Sequence, residues 1–260
     1  MERLARRDDT KEGISRSALR IWGLLFVTFG IVGRAIIQNR LLDMGNITNE
    51  QLLEAMMSSS RTMIFATAAL VLQAVEVCAV PIFACLLVDG VRHTANLGKY
   101  LLRVVSLAFV SELPYNLAIS GSLWDPSSRN PVFGLAFALG MLYLFRLYDG
   151  ATPGKRLLRV VIVAAAVLWT MLLRVQDGAG CVILVAVLWL CRNRIQYRVF
   201  AGCIAATCCC AISPFYLAAP MGFMVVHFYR GEKGDENKII NYLAYPVLLI
   251  AAAVAAKFIG

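Results

Sequence analysis

Two histidines and a few carboxylates set in apolar sequence carry whatever proton chemistry this chain can do. His93 stands four residues after Asp89, so on a continuing helix the two share a face and the carboxylate would orient the ring and raise its basicity. Glu112 and Asn116, with Tyr115 beside them, flank Pro114 at the same spacing. Gln73 and Glu76 form a second polar stripe, Asp177 precedes Gly178, and His227 lies next to Tyr229 and Arg230. Acyl transfer to an amine or hydroxyl needs a base for the acceptor's proton and donors for the oxyanion. Glu112, or His93 with Asp89, could be that base. Asn116, Tyr115, Glu76, Asp177 and His227 are candidate substrate contacts. Each also has a plainer reading: the Asp89 to His93 cluster as an interfacial anchor, Glu112 as an ion pair with Arg34, Arg146 or Arg174, and His227 as a hydrogen-bonded surface ring.

The elements that must hold these groups are membrane helices. The 260 residues are 60% hydrophobic and 16% charged, against roughly 25% charged in an average soluble domain, and the mean hydropathy is +0.71. A bilayer core takes about 20 apolar residues per helix. Nine segments qualify, over residues 19–38, 63–91, 100–120, 132–148, 157–173, 179–190, 199–213, 218–229 and 239–258, the sixth to eighth being short. The expected architecture is an all-α, polytopic helix bundle of about nine transmembrane helices in one domain, residues 1–260. Glu112 then falls roughly 18 Å along its helix from Tyr100, near the membrane middle. A carboxylate there costs at least ~2.5 kcal/mol on insertion scales, so it needs partners, water or a function.

The net charge of +9 does not mark a nucleic-acid binder, because the basic residues fall on alternate loops. Arg3, Arg6, Arg7, Lys11 and Arg16 precede the first span; Arg92, Lys99 and Arg103 surround the second connection; Lys155, Arg156 and Arg159 surround the fourth. The positive-inside rule puts the basic N-terminal segment (residues 1–18) in the cytoplasm, the polar segment 39–62 outside and the C-terminus outside, in a multi-pass protein of the cell membrane. No cleavable signal follows the first span. The eight cysteines sit within or beside spans and lack metal-ligand spacing, so they read as small packing residues and no metal site is expected. Thr48 with Leu52, Leu53, Met56 and Met57 suggests a short outer helix, either amphipathic on the surface or a lead-in to the second span. Pro114 removes the helical bond to the Val110 carbonyl and is expected to loosen the backbone there. No internal repeat of the kind common in secondary transporters is visible.

The run PIFACLLVDGVRHTANLGKYLLR from Pro81, followed by SELPYNLA from Ser111, resembles the TraX family of integral membrane proteins. Asp177-Gly178 resembles that family's acidic-glycine turn, YRGEKG from Tyr229 its Tyr-Asn-Gly-x-x-Gly, and NYLAYP from Asn241 its terminal Tyr-Pro element. Thr28-Phe29 and Leu248 stand where family members commonly carry Asp-His and His. The resemblance implies a membrane acetyltransferase related to the enzyme that acetylates the N-terminal amine of conjugative pilin. Acetyl-CoA would be the donor, no cofactor would be tightly bound, and the acceptor would be a peptide, lipid or glycan. Arg92, Lys99 and Arg156 are then the expected contacts of the donor's phosphates. A proton-coupled carrier using Glu112, or a non-catalytic membrane partner that kept the fold, are the alternatives.

Overall fold

A computed structural model describes residues 13–42, 49–150, 152–192, 195–229 and 238–259. Among these residues the secondary structure is helical except for two isolated bridges, Ile14 with Tyr229 and Arg129 with Val175. Helix α1 spans Arg16–Ile31 and begins where Ser15 Oγ accepts from the Ala18 amide at 3.2 Å, satisfying one of the donors a helix start leaves open. It continues as a π-helix, Val32–Leu41. The wider i to i+5 turn brings residues five apart toward one side, and Arg34 and Asn39 both reach inward, to Glu76 and to the Ile119 carbonyl.

Helix α2 (Asn49–Ser58) is separated from α3 (Ser60–Val77) by Ser59, whose hydroxyl caps α3 by accepting from the Thr62 amide. The short helix expected after residue 48 therefore exists as its own element, while Thr48 and the side chains of Leu52 and Leu53 lie outside the described residues. The second apolar segment divides into α3 and α4 (Ala79–His93) at Cys78. Pro81 supplies the reason, since it has no N–H to give the Val77 carbonyl four residues back. The two still run on as one 34-residue element, Ser60–His93. By contrast α5 (Leu97–Ile119) passes through Pro114 as a continuous helix, so the expected loosening is absent.

The remaining helices are α6 (Val132–Leu147), α7 (Pro153–Leu172), α8 (Gly178–Leu190), α9 (Ile195–Cys208), α10 (Ala219–His227) and α11 (Lys238–Ile259). The segments Arg16–Leu41, Ser60–His93 and Leu97–Ile119 are long and apolar enough to cross a membrane, and shorter apolar helices follow them. Large apolar side chains remain exposed, among them Phe109 and Leu113 on α5 and, on α7, which is not one of those segments, Leu168 and Trp169. Such a belt faces lipid, where burial against water is not required.

One apolar core runs through the bundle, centred on Ile82, Val88, Leu139, Leu142, Leu184 and Phe223. Helices α6 and α8 approach closely where a Cβ on Gly134 would stand 2.8 Å from Gly178 Cα, the small-residue contact that lets membrane helices meet. Helix α4 packs on α1, α8 and α10, whereas α5, its neighbour in sequence, packs on α6 and α11. The space between α4 and α5 is left as a cavity.

Candidate functional site

The cavity holds about 600 Å³ and is lined by α1, α3, α4, α5, α6, α8 and α11. Its two ends differ in chemistry. At one end stand Arg16, Arg20, Lys99, Arg103, His93, Thr94 and Asn96, with Tyr100 and Tyr242. At the other stand Glu76, Gln176, Asp177, Tyr245 and Cys181. Leu24, Val27, Val80, Phe83, Leu107 and Leu135 line part of the apolar length between them. Glu76 and His93 are separated by roughly 25 Å of helix at ~1.5 Å per residue, close to the ~30 Å of a bilayer core.

The basic end is assembled by helical spacing. Arg16 and Arg20 are one turn apart on α1, and Lys99 and Arg103 are one turn apart on α5, so each pair presents one side to the cavity. Asn96 caps α5 by accepting from the Lys99 amide at 3.0 Å, which fixes where that helix begins. Tyr100 interacts electrostatically with Tyr242, Arg20 and Arg16. His93 closes α4, and its Nδ1 lies 2.8 Å from the Asp89 backbone carbonyl. A carbonyl only accepts, so Nδ1 carries the proton in the neutral ring and Nε2 is left as an acceptor.

That contact corrects the expected Asp89 to His93 pairing. The Asp89 carboxylate turns instead to Arg198 on α9, whose Nη1 donates to Asp89 Oδ1 at 3.0 Å and whose Nη2 also contacts Cys85 Sγ. The pair is buried, and it joins α4 to α9 away from the cavity. Asp89 is thus a structural anchor, and His93 is oriented by main chain.

At the acidic end a chain of hydrogen bonds fixes each polar group. Tyr115 donates to Gln176 Oε1 at 2.7 Å, so the hydroxyl of Ser128, 3.1 Å away, donates to Tyr115. With its oxygen occupied, Gln176 turns Nε2 to Glu76 Oε1 at 3.1 Å, and Arg34 donates to Glu76 Oε2. Both carboxylate oxygens of Glu76 thus accept from donors. Gly30 makes this possible, because a Cβ there would overlap the Glu76 carboxyl group.

Asp177 lies in the turn between α7 and α8, with φ of 52°, and faces the same end of the cavity. Burial raises its carboxyl above the usual range, opposed by Arg34, Gln176 and Tyr216. Tyr216 also donates to the Asp177 main-chain oxygen at 3.1 Å, holding the turn. Among the described residues no arginine forms an ion pair with Asp177.

Glu112 is not part of the cavity lining. Arg129 Nη1 donates to its Oε1 at 2.9 Å, while the Asn130 side-chain and main-chain nitrogens donate to its Oε2 at 2.7 and 3.2 Å. Its cation is Arg129, not Arg34, Arg146 or Arg174; Arg146 donates to the Val91 carbonyl instead. Asn116 is buried off the cavity as well, its main-chain oxygen accepting from Ser120. Tyr115 touches the site only through Gln176. Arg92 donates to the Arg192 carbonyl, Arg156 is exposed on α7 and His227 stacks edge-on with Phe228, and none of these three lines the cavity. Of the expected site residues the cavity therefore gathers Glu76, His93, Lys99 and Asp177. Arg16, Arg20, Arg103, Gln176 and Tyr245 were missed, although the four-residue spacing of Arg16 with Arg20 and Lys99 with Arg103 was visible as a signal.

These features define a helical membrane protein whose bundle encloses a cavity with a cationic end and an acidic end. The chain belongs to the TraX protein family, whose sequence model matches residues 53–255. No curated protein and no solved structure matches it. The motifs that carry the family resemblance are spread over both ends of the cavity: His93-Thr94 at the basic end, Asp177 and Tyr245 at the acidic end, and Glu112 and Tyr115 in the hydrogen-bond network behind it. Thr28 donates its hydroxyl to the Leu24 carbonyl at 2.8 Å and lies off the cavity.

Proposed function

We propose that this chain is a membrane acyltransferase, taking an acyl group from an acyl-CoA, acetyl-CoA by family resemblance, and passing it to an amine. The observation that carries the reading is the polarity of the cavity, with Arg16, Arg20, Lys99 and Arg103 at one end and Glu76 and Asp177 at the other. Phosphates suit the four cations, and the thioester arm suits the apolar length, which delivers the reacting carbonyl to the acidic end. Lys99 keeps its expected role; Arg16, Arg20 and Arg103 replace Arg92 and Arg156. In this reading the basic end opens to the cytoplasm, the chain crosses nine times and the C-terminus lies outside.

The acids then divide the work. Glu76, hydrogen-bonded by Arg34 and Gln176, attracts the acceptor ammonium; the ammonium gives one proton to water, and Asp177 takes the second proton, which the resulting amine loses on attack. The carbonyl carbon gains a bond to nitrogen and loses its bond to sulfur, and the proton passes to the departing CoA thiolate. His93 Nε2, an acceptor at the mouth, receives a hydroxyl of the donor rather than acting as the base. Protein in liposomes given labelled acetyl-CoA and an amine-bearing peptide should transfer label. Asp177→Asn should lower kcat by about 100-fold or more, the usual worth of a general base, and Lys99→Ala should raise the donor KM with kcat little changed. Absence of both CoA binding and transfer with every acyl-CoA and acceptor tried would refute this.

A further inference from the structure

The acidic end of the cavity is closed by a seam between two loops. The loop at 120–131 and the turn at 173–177 are joined by two main-chain hydrogen bonds, Arg129 N to the Arg174 carbonyl and Gln176 N to the Arg129 carbonyl, each 3.0 Å. Pro131 and Val132 on one side of the seam, and Gln176 and Asp177 on the other, are cavity-lining residues. The seam is thus the wall between the acidic end and the membrane face that carries these loops.

The bonds across the seam converge on Arg129, while the adjoining Asn130 ties the base of the same loop to α5 through Glu112 and the Ala108 carbonyl. Arg129 makes both main-chain bonds, donates to Glu112 and lays its guanidinium 4.7 Å from the centre of the Trp124 ring. A second fastening is the Tyr115 hydroxyl, which bonds Ser128 of one loop and Gln176 of the other. The keepers, Glu112 and Tyr115, are buried on α5 and cannot move with the loops. Two non-glycine residues in the left-handed region, Arg174 and Asp177, both with φ of 52°, bracket the turn; such conformations persist where surrounding bonds hold them. The outer loop carries Gly121 at φ of 70° near its start and exposes Leu123 and Trp124 at its tip.

We propose that this seam is a gate, latched by Arg129 on Glu112 and by Tyr115 between Ser128 and Gln176, whose opening admits a cationic substrate to Glu76 and Asp177 from the loop face. The gate rests on the cavity and the seam alone and does not require acyl transfer, so its failure and the failure of the catalytic reading are separately observable.

Cys181 supplies a native reporter, since it lines the cavity one helical turn beyond Asp177. Sealed proteoliposomes are treated, one face at a time, with a trimethylammonium thiosulfonate reagent, which the basic mouth repels, and labelled cysteines are identified by peptide mass spectrometry. Labelling of Cys181 from the loop face should be slow in the wild type and at least about tenfold faster in Arg129→Ala, which loses a charge-assisted bond. It should be about fivefold faster in Tyr115→Phe, which loses two neutral bonds and keeps the ring. Cys85, fully buried beside Arg198, should stay unlabelled throughout and reports that the fold is intact. Unchanged Cys181 labelling in Tyr115→Phe, or faster labelling only together with Cys85, would overturn the gate.

Discussion

Replacing Arg198 by Met should destabilise the bundle more than any loss of packing alone would suggest. Arg198 and Asp89 have side chains only 6% and 7% exposed, and the guanidinium reaches both Asp89 and Cys85. With the cation gone the carboxylate remains buried among helices, and breaking a pair of this kind costs about 3–5 kcal/mol. Spread over the unfolding entropy of 260 residues, that lowers Tm by roughly 5–9 °C at ~2.1 cal/mol/K per residue. The assay is thermal loss of the monodisperse species in detergent. The double variant Arg198→Met with Asp89→Leu should recover most of the loss, because apolar replacement of a whole buried pair is often neutral or stabilising. If the single variant melts with the wild type, or the double variant is as unstable as the single, the pair is not what ties α4 to α9. A carboxylate serving His93 would instead make the double variant the worse of the two for activity with no recovery in Tm.

Two further outcomes separate structural from chemical roles. Gly30→Ala should force the Glu76 carboxyl group away from Arg34 and cost about 1–3 kcal/mol as an overpacked site, with the loss in Tm reduced when Glu76→Asp is added to shorten the acid. Glu112→Gln should lower Tm by weakening the Arg129 bond yet retain transfer activity within about tenfold, whereas the loss of a general base would cost about 100-fold or more.

The helical class and the positions of most helices were legible because they rest on long-range composition, which a bilayer demands of any span. The break at Cys78 was legible from Pro81, but Pro114 misled: it leaves one carbonyl unpaired, and α5 packs firmly enough on α6 and α11 to run through it. Spacing within one helix could propose Asp89 with His93, and it failed because Arg198, more than a hundred positions away, offers the carboxylate a better partner. Glu112 was correctly singled out as a charge needing a partner. Its cation, Arg129, lies in a loop whose folding back onto α5 no periodicity reveals.

Three buried carboxylates, Glu76, Asp89 and Glu112, each hold an arginine from another element, and those pairs set the positions of the π-helix, α9 and the outer loop. An acid so held has its oxygens occupied by donors from a fixed partner, which suits it to positioning. Asp177 differs in making no ion pair with an arginine among the described residues, with its backbone fixed by Tyr216 and its carboxyl raised by burial at the cavity end. A raised carboxyl facing a cavity is the arrangement a proton acceptor requires near neutrality. The arginines therefore do more than neutralise charge, since by engaging the other acids they leave Asp177 as the cavity-lining carboxylate without an ion pair among the described residues.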